Sequence, residues 1–194
     1  MANRFGLHSK LNQRARAEAI KVTFEAVAPL QKTFINFLPS TIYNPDYCLQ
    51  HTFDIIDRYD LSPDLFIFEV VERAKVHDVN HLQHVFSTYK RRGMKVALDD
   101  VGAGFSTIDM LKRLEPDYVK IDRSYISFCD EDAEKRAFLR QVRALTHSMG
   151  ITLLAEGVER MEEADVCREL GFDLAQGYFF GKPAPANQYK IEIV

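Results

Sequence analysis

The sequence predicts an α/β fold in which parallel strands alternate with helices, and three observations carry that expectation. Short apolar runs recur along the 194 residues. Amphipathic stretches with apolar residues three and four apart separate them. Three segments, "RRGMKVALDD", "HSMGITLLAE" and "RELGFDLAQG", repeat one layout of helix end, glycine, short apolar strand and polar residue. Strands spaced about 20 to 33 residues apart with helices between them need crossover connections, which makes them parallel. Runs such as "LFIF", "VAL" and "ITLLA" are apolar on both faces, as strands of a helix-covered parallel sheet are.

In chain order, a helical pattern near residues 10–28 (Leu11, Ala15, Ala19, Val22) precedes strands near 33–37 and 65–71. A helix over 78–92 follows, with Leu82, Phe86 and Tyr89 on one face, and then a strand over 95–99. A helix over 107–114 leads to a strand at 117–121. The helix over 132–149 carries Phe138, Val142, Leu145 and Met149 and feeds a strand at 151–155. The helix over 160–170, with Ala164, Cys167 and Leu170, feeds the sixth strand, at 173–178. Gly93, Gly150 and Gly171 stand where a helix C-cap takes a left-handed residue. Asp78 and Asp130 read as N-caps, and Ser106 with Asp109 as a capping box.

The chain is 46% hydrophobic and 27% charged, within the globular range, and is long enough for one domain over residues 1–194. Its net charge of −3 gives no electrostatic case for a nucleic-acid polymer or an anionic membrane. Cys48, Cys129 and Cys167 are widely spaced, with no CxxC, which suits a reducing compartment rather than a disulfide scaffold or a zinc knuckle. No apolar run is long enough to span a bilayer, and the opening "MANRFGLHSK" has no signal-peptide core, so the cytoplasm is the expected location.

The strand ends carry the chemistry. Each predicted strand has a polar residue within it or at its C-terminal end: Asn36, Glu69 with Glu72 just beyond, Asp99 and Asp100, Lys120, Glu156, and Gln176. In a (β/α) barrel the active site is built from those ends, and in an open α/β sheet the same edge binds ligands. Carboxylates and amides are hard oxygen donors, and the absence of His and Cys there favours Mg²⁺ or Mn²⁺ over zinc or copper. Adjacent Asp99 and Asp100 would repel unless a cation held both. A pair of metal ions makes such an arrangement favourable and is a common device for cleaving phosphate esters. Lys120 would steer the attacking water or stabilise charge on the phosphate. Structural roles compete: Glu72 precedes Arg73 and could form a surface ion pair, and Asp122 could pair with Lys120. "GAGF" is only a weak phosphate-loop signal. His77, His81 and His84 share a helical stripe that reads as a solvated face rather than a metal site.

The segments "FINFLP", "FEVVER", "ALDDVGAGFST", "DYVKIDRSYI", "LLAEGVE" and "QGYFFGKPAP" resemble, in order, the signatures of EAL domains, bacterial phosphodiesterases that hydrolyse cyclic di-GMP to the linear dinucleotide. The resemblance covers roughly residues 5–185 and implies a TIM-type barrel with one strand reversed, using Mg²⁺ or Mn²⁺. It implies that Asn36, Glu69 and Asp99 are metal ligands and that Asp100 serves a second ion. Lys120 would contact the attacking water, Glu156 would act as ligand or base, and Gln176 would complete the substrate site. Glu72 would hold the loop 99–106, which in the family also contributes to homodimer contacts. Glu159 matches a further family position. Val101 and Ala103 stand where the family usually has Phe and Thr.

The Glu-Ala-Leu motif that names the family is not found. Only 35 residues precede Asn36, and Glu18-Ala19-Ile20 lies in a helical pattern without the following Arg. The expectation is therefore a truncated domain, an incomplete barrel of about six parallel strands with two N-terminal strands missing and two edges open. Two functions follow from it. One is metal-dependent hydrolysis of cyclic di-GMP. The other is a catalytically impaired domain acting as a cyclic di-GMP receptor or protein-interaction regulator.

Overall fold

A computed structural model describes residues 2–26, 31–71, 79–102 and 108–185. The chain forms two compact units, Met1–Val96 with Ala184–Val194, and Ala97–Pro183.

The first unit opens with α1 (Ala2–Ala26), followed by β1 (Thr33–Phe37). Short helices α2 (Pro45–Cys48) and α3 (Gln50–Arg58) lead to β2 (Phe66–Val71) and α4 (Val79–Arg91). β1 and β2 pair in parallel, with Asn36 opposite Glu69. Phe66, Ile67, Phe68 and Val70 are all fully buried, as expected of a strand covered on both faces. The predicted stripe of α4 is the core stripe: Leu82, Phe86 and Tyr89 are buried, and the Tyr89 ring stacks on Phe68 at 4.1 Å. His84, on the opposite side, is exposed and lies 3.2 Å from Asp46, so the histidine stripe faces water there. His77 and Asp78 lie outside the described residues.

α1 corrects the predicted pattern. Among its described side chains the buried ones are Arg16, Ile20 and Thr23, whereas Leu11 and Val22 are exposed. The inward polar groups are satisfied: Arg16 donates to Thr52 Oγ1 and Asn12, and the Thr23 hydroxyl donates to the Ala19 carbonyl. α2 and α3 were not anticipated. Pro45 starts α2 at a position where its missing N–H costs nothing, and α3 buries Thr52, Phe53, Ile55 and Ile56 on one face.

The second unit runs from β3 (Lys95–Val101, which begins just before it) through α5 (Ile108–Leu114), β4 (Tyr118–Ile121), α6 (Arg123–Ile126) and α7 (Ala133–Ser148). It continues through β5 (Thr152–Ala155), α8 (Met161–Glu169) and β6 (Leu174–Ala175). Its strands lie in the order β3-β4-β5-β6, each pair parallel. Among the described residues there are six strands, joined by helical crossovers, and the α/β class holds in both units. Gly93, Gly150 and Gly171 end their helices with φ of 83°, 68° and 78°.

Three local expectations change. The N-cap of α7 is Asp132, which accepts from the Glu134 and Lys135 N–H groups, while Asp130 instead takes a bidentate Arg160 at 3.1 Å. α6 is an additional short turn, capped by Asp122, whose Oδ1 accepts from Ser124 N. β6 is only two residues long because the chain turns at Gly177, where a Cβ would lie 2.1 Å from the Val158 carbonyl oxygen. The Ser106–Asp109 capping box lies outside the described side chains. Among the described residues no helix is long and apolar enough to cross a membrane.

Candidate metal centre

Along a regular strand, neighbouring side chains point to opposite faces, so two adjacent aspartates cannot ordinarily serve one site. β3 avoids this with a bulge. Leu98 pairs with Val119 and Val101 with Ile121, so Asp99 and Asp100 together stand opposite the single residue Lys120. An extra residue of this kind re-aims a side chain. Here the change sits at Asp100, whose φ of 54° places it in the left-handed region that Asp tolerates better than most residues. The Asp100 N–H donates to Asp99 Oδ1 at 2.9 Å, which fixes the Asp99 carboxylate.

The remaining members follow from strand phase. Lys120 pairs with Leu154, and Leu154 with Leu174. Glu156 and Gln176 each lie two residues further on, and therefore on the same face. The Glu156 N–H donates to the Ile121 carbonyl, and the Gln176 N–H to the Ala155 carbonyl, so both residues are held just past their strand ends. The Lys120 ammonium lies 2.7 Å from Glu156 Oε1 and 3.2 Å from Asp99 Oδ1. Gln176 Nε2 donates to the same Glu156 oxygen at 2.5 Å. Lys120 and Asp99 are buried, at 4% and 7% exposure, whereas Gln176 is exposed.

The electrostatics of this cluster are those of a cation site. Carboxylate oxygens of Asp99, Asp100 and Glu156 lie within 4.8 Å of one another. With all three ionised beside one ammonium, the group carries two excess negative charges. Burial, helped by neighbouring Asp99 and opposed by Lys120, raises the Glu156 carboxyl to about 7. An all-oxygen donor set with excess negative charge, partly shielded from water, fits a hard divalent cation. The residues present therefore fit the metal that the sequence implied.

Five of the predicted positions (Asp99, Asp100, Lys120, Glu156 and Gln176) thus meet in the second unit. Asn36 and Glu69 are register partners in the first unit, Glu69 buried and Asn36 exposed. Glu72 lies outside the described residues. Glu159 forms an ion pair with Arg123 at 3.3 Å.

Glu163 is a buried supporting residue not anticipated from the sequence. Its carboxylate accepts from the N–H groups of Phe128, Glu159 and Arg160. It thereby ties the turn after α6 to the segment that follows Glu156. The signal was present in "ERMEEADV", an acid three residues into a helix ahead of apolar residues.

Comparison with known proteins agrees with this geometry. The profile of the EAL domain matches residues 1–183. The chain is 32% identical over 189 residues to a protein of Escherichia coli (strain K12) named probable cyclic di-GMP phosphodiesterase PdeG, covering 94% of this chain and 36% of that protein. It superposes on a standalone EAL protein from Vibrio cholerae O395, in its c-di-GMP-bound form, with a TM-score of 0.85 and 32% identity, covering 91% of this chain and 74% of that one. It superposes equally well, TM-score 0.85 and 29% identity, on Klebsiella pneumoniae BlrP1 in a manganese/cyclic di-GMP complex, covering 91% of this chain and 45% of that one. The chain spans between 14% and 36% of the length of the curated relatives it matches. On the strength of that profile match over almost its whole length, this chain belongs to the EAL domain family.

Proposed function

We propose that this chain carries a divalent-cation-dependent phosphodiesterase centre that opens cyclic di-GMP to linear pGpG. The observation that carries the reading is the convergence of Asp99, Asp100 and Glu156 within 4.8 Å, with Lys120 bridging two of them. These three acids would hold Mg²⁺ or Mn²⁺, with two ions as the family resemblance implies. Asn36 and Glu69 keep the ligand roles that the resemblance gives them. When bound, such ions acidify a coordinated water and polarise the phosphoryl oxygen.

The chain's own residues divide the remaining work. Lys120 offers an ammonium beside the cluster, where it orients the attacking water and meets negative charge as it builds on the phosphate. Glu156, with its carboxyl raised to about 7, is poised to exchange a proton near neutral pH. Gln176 fixes the direction of that carboxylate through its amide hydrogen bond and, being exposed, is open to the nucleotide. The resemblance adds Glu72 as a support of the loop 99–106 and a homodimer contact through that loop, and the cysteine usage suits a cytoplasmic setting.

Incubation of the purified chain with cyclic di-GMP and Mn²⁺ or Mg²⁺ tests the proposal, with pGpG followed by ion-exchange chromatography. Product is expected with either ion and none after chelation. Nucleotide that binds in the presence of both ions but is never cleaved would convert the reading to a receptor.

A further inference from the structure

We propose that the groove between α7 and the C-terminal end of α8 is a binding site for a linear oligophosphate, separate from the metal centre. Arg140, Arg143 and His147 line this groove, which has a volume of about 400 Å³. With Arg136 they follow one another along α7 at steps of four, three and four, so all four stand on one face of the helix. Arg136 lies 3.2 Å from Glu169, and Arg143 lies 3.0 Å from Asp173. These two acids offset two of the three arginines, which leaves one positive charge before His147 is counted. The exposed side chains of Arg140 and His147 make no hydrogen bond or ion pair with the described residues. The buried Nε of Arg136 also lacks an acceptor among them.

A helix C-terminus attracts cations on its own account, within its last turn. That accounts for His147 but not for Arg140, which lies two turns back from the end of α7. The spacing selects the ligand. Seven residues of helix carry Arg140 and His147 about 10 Å apart along the axis, too far for one phosphate to meet both. A chain of phosphates spans that distance, and guanidinium forks match its oxygens. Ala144, one turn from Arg140, and Gly171 across the groove leave the space between them open. Leu170 adds an apolar wall on which a nucleobase could rest.

The position makes this a second site rather than an extension of the first. α7 and α8 run into the starts of β5 and β6, whereas Glu156 and Gln176 stand past the far ends of the same strands. Arg143 is less available than Arg140, because the Asp173 oxygen that it holds also accepts from Leu153 N at 2.8 Å. Arg140 is therefore the residue to change.

The test titrates the metal-free, isotope-labelled chain with sodium tripolyphosphate, ATP or sulfate at matched ionic strength and follows amide shifts by NMR. Tripolyphosphate should move the amides of Arg140, His147 and Gly171 and leave those of Asp99, Asp100, Lys120 and Glu156 in place. Arg140→Gln should weaken its binding about ten-fold. Lys112→Gln, which removes the same charge from α5, should leave the affinity unchanged. Sulfate should bind more weakly than tripolyphosphate. ATP that binds no tighter than tripolyphosphate assigns the site to the phosphate chain alone, and tighter ATP assigns it to a nucleotide; either result upholds the proposal. It is overturned if saturating tripolyphosphate moves no amide of the groove, or if the shifts centre on the metal cluster. It is overturned equally if sulfate binds as well, or if Lys112→Gln costs as much as Arg140→Gln.

Discussion

The ammonium of Lys120 lies 2.7 Å from Oε1 of Glu156, with 5% of the lysine side chain exposed. The same group reaches Asp99, so Lys120 holds two acids together before any metal arrives. Lys120→Met removes that charge while keeping the stem. The metal-free variant should lose about 3 kcal/mol, because buried carboxylates are left without the lysine's charge. Mn²⁺ should raise its melting temperature by more than it raises that of the parent. Turnover should fall by about 10²-fold or more even at saturating metal. Thermal melts with and without Mn²⁺, and the hydrolysis assay, check the two effects separately.

The raised Glu156 carboxyl sets a pH dependence. Its folded value of about 7 lies above the unfolded reference of about 4.3. Its contribution to the stability of the metal-free chain is therefore fully present below about pH 4.3 and is lost as pH rises through 7. Metal binding runs the other way, since the cation takes the ionised form. Apparent Mn²⁺ affinity should climb about ten-fold per unit up to pH 7 and flatten above it. Titration calorimetry at pH 6 in buffers of different ionisation enthalpy should show close to one proton released per cluster filled.

Asp100 has φ of 54°, a conformation that distinguishes among its replacements. Asp100→Asn keeps a residue tolerant of that backbone and should fold normally, with Mn²⁺ affinity lowered by at least about 10-fold. Asp100→Val puts a β-branched side chain in the left-handed region and should lose a further 1–2 kcal/mol or so of stability relative to Asn. Denaturant melts of the two variants side by side measure the difference.

Glu163→Ala leaves three backbone donors without their carboxylate. A loss of about 3 kcal/mol is expected, with Glu163→Gln losing less because its amide oxygen still accepts. Hydrogen exchange should quicken at residues 128, 159 and 160 in the alanine variant before it quickens elsewhere in the unit.

The sequence made strands and acids readable, but not the device that assembles them. Runs such as Phe66–Val71 are apolar but for Glu69, so strand identity showed plainly, and residue order alone put Lys120 within one strand and Glu156 just past the next. α1 misled because it turns Arg16 and Thr23 inward, and a hydropathy stripe cannot register polar groups buried with their partners. α3 escaped because α2, with its own cap and proline, interrupts the approach to it. The pairing of Asp99 with Asp100 at one centre was legible in their adjacency, but "LDDV" contains no glycine to announce a bulge, so the device that brings them there emerged only from the register with β4. Glu163 was half legible: an acid at the third position of α8 signals the bond to Arg160 N, but not the longer reach to Phe128 N.

Because two residues of β3 are matched by one of β4, the strand leaves the bulge with its in–out rhythm inverted. Grafting this centre onto another scaffold would therefore require carrying the half-step offset along with the acids. Deleting either aspartate would do more than remove a ligand: it would erase the bulge and leave a single carboxylate opposite Lys120.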